Sequence, residues 1–260
     1  MLEIKDVHKT FNPGTINEKK ALNGLNLTLN DGDFVTVIGG NGAGKSTMLN
    51  MIAGVYPVDS GSIIIDGVNV TKLPEHKRAK YLGRVFQDPM MGTAADMWIE
   101  ENMALASRRG QIRGLKWAIN NKEREQFKAM LSELDLGLEN RLSAKVGLLS
   151  GGQRQALTLL MAVMKKPKLL LLDEHTAALD PKTAAKVLEL SNKFISEDHL
   201  TAMMITHNMK DAITYGNRLI MMNNGKIILD VSGEEKKKLT VEHLLDAFTK
   251  LSGSEFANDR

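Results

Sequence analysis

One eight-residue stretch limits what this chain can fold into more than any other: Gly39-Gly40-Asn41-Gly42-Ala43-Gly44-Lys45-Ser46. It has the spacing G-x-x-x-x-G-K-S/T and lies between two segments of opposite character. Before it, Phe34-Val35-Thr36-Val37-Ile38 is a nearly unbroken β-prone run, as expected of a strand buried on both faces. After it, residues 45–53 read as a helix that Gly54 stops. Glycines let the backbone wrap so closely that successive N–H groups face phosphate oxygens, and the helix start adds the positive end of its dipole. Lys45 is spaced to reach the β- and γ-phosphates, and the Ser46 hydroxyl to hold Mg²⁺. The stretch, with Thr47 after it, therefore predicts a nucleoside triphosphate site.

The rest of the chain alternates strand and helix. Leu2-Glu3-Ile4-Lys5-Asp6-Val7 and Leu25-Asn26-Leu27-Thr28-Leu29 have the period of half-buried strands, and residues 62–67 form another short one. From about Asp88 to Lys166 the pattern turns helical, with candidates at residues 103–107, 123–134 and 153–164. Strands return at residues 169–172 and 202–205, and Asn223-Asn224-Gly225 marks an antiparallel pair. Glu234-Glu235-Lys236-Lys237-Lys238 reads as a solvated linker, followed by a helix over residues 241–250. The expected class is α/β, with the helical block inserted into the core.

Composition narrows the function. The 260 residues are 43% hydrophobic and 25% charged, which suits a soluble globular protein with a sizeable core. There is no cysteine, so disulfides and thiolate metal sites are excluded, in keeping with a reducing compartment. The densest apolar stretch, residues 156–164, contains Thr158 and is far short of the roughly 18–20 residues that cross a bilayer. The N-terminus lacks the basic and apolar regions of a secretory signal, so a cytosolic protein is expected. A net charge of +3 with no dominant basic stripe argues against a nucleic-acid partner. Any membrane association is expected to come through another protein.

Two further constellations carry chemistry. Leu149-Ser150-Gly151-Gly152-Gln153 starts a helix that Lys165-Lys166 and Pro167 end, with Ser150 as a good N-cap and two glycines exposing backbone N–H groups. Alone, it is either a second anion site or a capped buried helix. Leu169-Leu170-Leu171-Leu172-Asp173-Glu174 is an apolar strand ending in two acids. There a carboxylate suits Mg²⁺ and its neighbour can polarise a water, although paired acids at a strand end are as often only a loop start.

With these segments in this order, the chain resembles the ATP-binding-cassette ATPases over nearly its full length. The phosphate loop stands as Walker A, residues 149–153 as the signature, and Ala177-Ala178-Leu179-Asp180 as the D-loop. Gln87 in Val85-Phe86-Gln87-Asp88, His207 in Ile205-Thr206-His207-Asn208, and Phe11 as the base-stacking aromatic complete the match. The resemblance implies a RecA-like P-loop NTPase core with an antiparallel β subdomain and an inserted α-helical subdomain. It divides the chain into a catalytic core over residues 1–87 and 167–235, a helical signature subdomain over 88–166, and a C-terminal helix and tail over 236–260.

It also implies roles. ATP would sit on Gly39, Gly40, Asn41, Gly42, Ala43, Gly44, Lys45, Ser46 and Thr47, with adenine on Phe11. Mg²⁺ would be held by Ser46, Gln87 and Asp173. Hydrolysis would use Glu174 and Lys45, with Gln87 placing the attacking water and His207 on the γ-phosphate. Two cassettes would pack head to tail, so that Ser150, Gly151, Gly152 and Gln153 of one close over ATP held by the other, with Asp180 shaping the neighbouring site. The expected function is the ATPase of a membrane importer for a small solute, similar to cassettes of uncharacterised bacterial uptake systems, some of which carry amino acids. Transmembrane permease subunits, and through them a substrate-binding protein, are the implied partners, which places the chain peripherally on the inner face of the cell membrane. The alternative is a soluble non-transport ATPase of the same family.

The sequence departs from the family pattern at His175, where proline usually follows the glutamate, and at Gly40, where proline or serine is commoner. His175 leaves open a pH dependence beside Glu174. Residues 89–98, rich in methionine, occupy the position that receives a permease helix; methionines there also suit plain core filling. Arg108, Arg109, Arg113, Lys116, Lys122 and Arg124 form a basic stretch that reads better as a solvated helical face than as a surface for permease or anionic lipid.

Overall fold

The computed structural model describes residues 1–111 and 119–255. Arg113 and Lys116 of the basic stretch, and the tail over 256–260, lie outside the described residues. In chain order the elements are β1 (Leu2–Phe11), β2 (Lys19–Leu29), β3 (Phe34–Gly39), α1 (Lys45–Ala53), β4 (Ser60–Ile65), β5 (Val68–Asn69), α2 (Glu75–Arg78) and β6 (Leu82–Val85). They continue with α3 (Ile99–Ser107), α4 (Asn121–Ser132), α5 (Gly151–Val163), β7 (Leu169–Asp173), α6 (Pro181–Glu197) and β8 (Ala202–Ile205). The last are α7 (Met209–Thr214), β9 (Arg218–Asn223), β10 (Lys226–Ser232), α8 (Gly233–Lys237) and α9 (Val241–Glu255). The chain divides into two compact units, one of Met1–Arg78 with the chain from Thr201 onward, the other of Ala79–Leu200.

The first unit holds two sheets. In the antiparallel one, ordered β2-β1-β4-β5, Leu2, Ile4 and Val7 pair with Leu29, Leu27 and Leu25, and all six are buried. Alternation puts Leu2 and Ile4 on one face, as the sequence predicts, and Val7 is buried with them only because the register shifts between Ile4 and Val7. Both strands are longer than the alternation suggested. Asp6 takes a left-handed φ of 48° and the register shifts beyond it, so the period breaks while pairing runs on to Phe11 opposite Lys19. In the other sheet β3 lies parallel between β8 and β9, and β10 closes the edge as a hairpin. Asn224 and Gly225, with φ of 45° and 74°, make the turn that such a hairpin requires.

A buried arginine locks the far end of α1. Arg78 donates through Nη1 to Met51 O and Ile52 O at 2.7 and 2.9 Å, satisfying carbonyls of the last helical turn. The expected solvated linker over 234–238 is instead mostly α8. Lys236 is buried there, and its ammonium donates to the Tyr215 and Gly216 carbonyls beyond α7. The run looks solvated by composition, yet one lysine in it has two backbone acceptors within reach. Its burial pushes the Lys236 pKa down to about 8.

In the second unit β6 and β7 pair in parallel, from Leu82 opposite Leu169 to Val85 opposite Leu172. Helix α5 is buried almost throughout, which accounts for the apolar run over 156–164. Helices α3 and α4 begin earlier than their apolar periods, because acidic side chains turn back to cap them. Glu101 accepts from Trp98 N at 2.7 Å, and Asn120 and Glu123 form a reciprocal capping box. The described arginines of the basic stretch are not a free solvated face. Arg124 forks onto the buried Glu100 at 2.7 and 2.9 Å, Arg108 meets Glu123 at 3.0 Å, and Arg109 donates to Ala162 O. Among the described residues no helix is long and apolar enough to cross a membrane.

Candidate nucleotide site

In the first unit, β3 delivers the phosphate loop and α1 takes it away. Gly39, Gly42 and Gly44 all have left-handed φ, at 149°, 81° and 101°. A Cβ on Gly44 would stand 2.6 Å from Ala21 O, and one on Gly39 would run into the Met222 carbonyl, so glycine is required twice over at both. No side chain caps the start of α1, whose N-cap is Gly44. Lys45 is buried, and its ammonium donates to the carbonyls of Gly39 and Gly40 at 2.7 and 3.0 Å. The cation is thus held over the loop by backbone oxygens. Asn41, Gly42 and Ser46 are exposed, with Thr47 half-buried behind them.

The same unit brings other expected residues to this loop. His207 is exposed just beyond β8, and it lines a cavity of about 250 Å³ together with Gly39, Gly40, Leu245 and Phe248. Asn208 next to it caps α7 by accepting from Lys210 N at 2.9 Å. Phe11 ends β1 with its ring edge-to-face on Tyr56, centroids 5.3 Å apart, and the Lys9 ammonium lies 5.6 Å from its centroid. Lys19, directly opposite Phe11, carries its own ammonium to Gly42, 3.0 Å from where a Cβ there would stand. Lys19 was not picked out from the sequence, since its place follows only from the longer β1–β2 pairing.

In the second unit the acids and the signature are arranged as follows. Asp173 ends β7, with Arg84 Nη2 at 3.6 Å from its carboxylate and the Arg84 guanidinium 4.4 Å from the Phe86 centroid. Arg84 faces Leu171 across the strand pair, so Asp173 lies on its diagonal and on the same face. Gln87 is exposed two residues after β6. Glu174 has a left-handed φ of 47° and opens a turn in which Ala177 N donates to its carbonyl at 2.9 Å. A non-glycine residue held there stores strain of the kind found at functional sites.

His175 is fully packed, with Nε2 at 2.9 Å from Ser191 Oγ. The Ser191 hydroxyl donates to Val187 O at 2.8 Å, so its oxygen accepts from Nε2–H. Burial lowers the His175 pKa to about 4, so the ring is neutral near neutral pH and puts no charge beside Glu174. Ser150 caps α5 by accepting from Gln153 N at 3.3 Å, and Gln153 Oε1 accepts from Ser150 N at 3.2 Å. Gly151 lies over Leu179, and Gly152 lets the first turn of α5 close onto Thr183, where a Cβ would collide. Asp180 caps α6 by accepting from Thr183 N at 3.1 Å, and those hydrogen bonds lower its pKa.

A buried parallel strand, a glycine loop in left-handed conformations and a helix that starts on a lysine define a P-loop nucleotide-binding protein. The chain belongs to the ABC transporter family, whose model matches residues 22–177. It is 46% identical to the tyrosine transport ATP-binding protein of Clostridioides difficile, over 95% of this chain and 98% of that one. It is 34% identical to the xylose/arabinose import ATP-binding protein of Sulfolobus acidocaldarius, over 96% of this chain and 94% of that one. Its fold matches the dimeric post-hydrolysis structure of the ATP-binding cassette MJ0796 bound to ADP and phosphate, with a TM-score of 0.76, 30% identity, and coverage of 89% and 98%. The protein is accordingly a mixed α/β ATP-binding cassette and an ATPase.

Proposed function

We propose that this chain is the ATP-hydrolysing subunit of a membrane importer for a small solute, with amino acids as the cargo class. The observation that carries the reading is full-length similarity to a tyrosine transport subunit, at 46% identity. The methionine-rich segment supports a membrane partner. Met91 is 69% exposed and Trp98 42%, and both belong to a stretch that follows Gln87 within a few residues. Beside it, a cavity of about 280 Å³ is lined by Phe86, Met91, Leu105, Arg84 and Arg109. An apolar floor with two guanidinium groups suits an inserted permease helix. The chain would then sit on the inner face of the cell membrane through that permease, with any substrate-binding protein reached only through it.

In this reading Lys45 and the loop amides neutralise the phosphates, Phe11 stacks on adenine, and Glu174 orients and deprotonates the attacking water. Gln87 places that water, and His207 contacts the γ-phosphate. Ser46, Gln87 and Asp173 offer a hydroxyl, an amide and a carboxylate, a hard-oxygen set that suits Mg²⁺. Among the described residues no three His, Asp or Glu cluster as an all-protein metal cage, in keeping with an ion that completes its shell with phosphates and water. Mg²⁺ would supply charge neutralisation at the β- and γ-phosphates. A second copy would bring the Ser150–Gln153 helix start over ATP held by Lys45 of the partner subunit, and hydrolysis would reopen the pair.

The test is purification of the tagged chain from gently solubilised native membranes, with co-purifying chains identified by mass spectrometry. A stoichiometric multi-span protein is the expected result. Soluble partners alone would overturn the transporter reading in favour of a non-transport ATPase.

A further inference from the structure

Gln155 is fully buried in the first half of α5, two residues beyond Gln153, and its side chain is used in an unusual way. Its Nε2 donates to Phe86 O at 2.9 Å and to His175 O at 2.6 Å. Phe86 immediately precedes Gln87, and His175 immediately follows Glu174. One amide nitrogen thus ties together α5 and the backbone on either side of the residues assigned to the attacking water. Its own Oε1 is buried with no hydrogen-bond partner. Flipping the amide would turn that oxygen toward two carbonyl oxygens, so the orientation is fixed by its acceptors.

We propose that Gln155 is a positioning residue for ATP hydrolysis: its amide sets the distance between the Gln87 loop and the Glu174 turn and refers both to helix α5. This rests on the reading of Glu174 and Gln87 as the hydrolytic pair. Glu174 sits in a left-handed conformation that its neighbours must hold. The 174–177 turn and the His175–Ser191 contact hold it from one side, and Gln155 holds it from the α5 side. The N-terminus of the same helix carries Ser150 and Gln153. A shift of α5 on closing over nucleotide is therefore felt at both carbonyls, which links recognition of the second copy's ATP to the setting of Glu174.

The test uses the full chain. Gln155→Met keeps the length of the side chain and removes both donors; Gln155→Glu sets a carboxylate against two carbonyl oxygens. Gln155→Met should lower kcat about tenfold while ATP affinity changes by less than about twofold, the pattern of an interaction that matters in the transition state. Gln155→Glu should show the same loss near pH 8 and recover relative to wild type toward about pH 6, as the acid gains a proton to donate. A kcat for Gln155→Met within about twofold of wild type, or kcat and ATP affinity falling together, would overturn the role. Glu174→Gln run alongside separates the two readings. If it still hydrolyses ATP at the wild-type rate, the site assignment itself fails; if it is inactive while Gln155→Met is unimpaired, only the role of Gln155 fails.

Discussion

Helix α1 starts just after a glycine and α5 starts on one, and they solve the problem of a helix start in opposite ways. The first turn of α1 follows Gly44, which has no side chain to cap it, and the nearby cation is folded back onto loop carbonyls. The first turn of α5 is satisfied in part from within, by the reciprocal pair of Ser150 and Gln153. A helix start without side-chain caps, beside a buried lysine, is built to take an anion directly. A start with a capping box has fewer donors left open, and a phosphate arriving there meets hydrogen bonds already made, each worth about 1 kcal/mol. In the proposed reading the phosphate loop is therefore the primary nucleotide site, and the α5 start adds to a nucleotide already held elsewhere.

That contrast can be broken by substitution. Lys45→Ala should cut ATP turnover at least about 100-fold, the scale of losing a main electrostatic contact to the transferred group. Steady-state hydrolysis measures it, and turnover close to wild type would remove the primary site from the account. The next effect concerns the α5 side, which alone among the described residues holds a fully buried histidine. His175 has a folded pKa of about 4 against an ordinary 6.5. Between those values the unfolded chain is protonated there and the folded chain is not, so stability is complete above about pH 6.5 and falls as the pH drops toward 4. The loss is on the order of 3 kcal/mol. Thermal melting of wild type and His175→Gln across that range checks it: the variant should lose most of the slope, and parallel slopes would show that other groups dominate.

The smallest effect is expected at Ser150. Ser150→Ala removes the N-cap and should cost about 1 kcal/mol of stability while leaving ATP affinity of the single chain unchanged. ATP-driven pairing of two chains should weaken by about tenfold, which is 1.4 kcal/mol. If single-chain ATP affinity instead fell as far as in Lys45→Ala, the distinction between the two helix starts would collapse.

How much of this was legible in the sequence follows the physics of each signal. Helix α1 occupies the residues expected, 45–53, because glycines bound it on both sides and Gly54 closes it at a φ of 87°. The α/β class and the two acids at the end of β7 follow from a buried apolar run whose length is that of a strand. What was lost depended on contacts between distant residues. Arg84 meets Asp173 only because β6 and β7 pair in parallel, and nothing local to Arg84 announces it. Gln155 lay beside a recognised motif yet has its partners at Phe86 and His175, in two other loops. Charge runs misled for the same reason. Lys236 and Arg109 look solvated by composition, and each is placed by backbone carbonyls that only the fold brings near.

The central claim is that one ATP is enclosed by two helix starts from two copies of this chain. Sedimentation of Glu174→Gln with and without saturating MgATP tests it most directly, since the variant should bind nucleotide without turning it over. The account predicts a monomer without nucleotide and a stable dimer with MgATP, whose pairing Ser150→Ala weakens about tenfold. A species that binds MgATP fully and remains a monomer would contradict it.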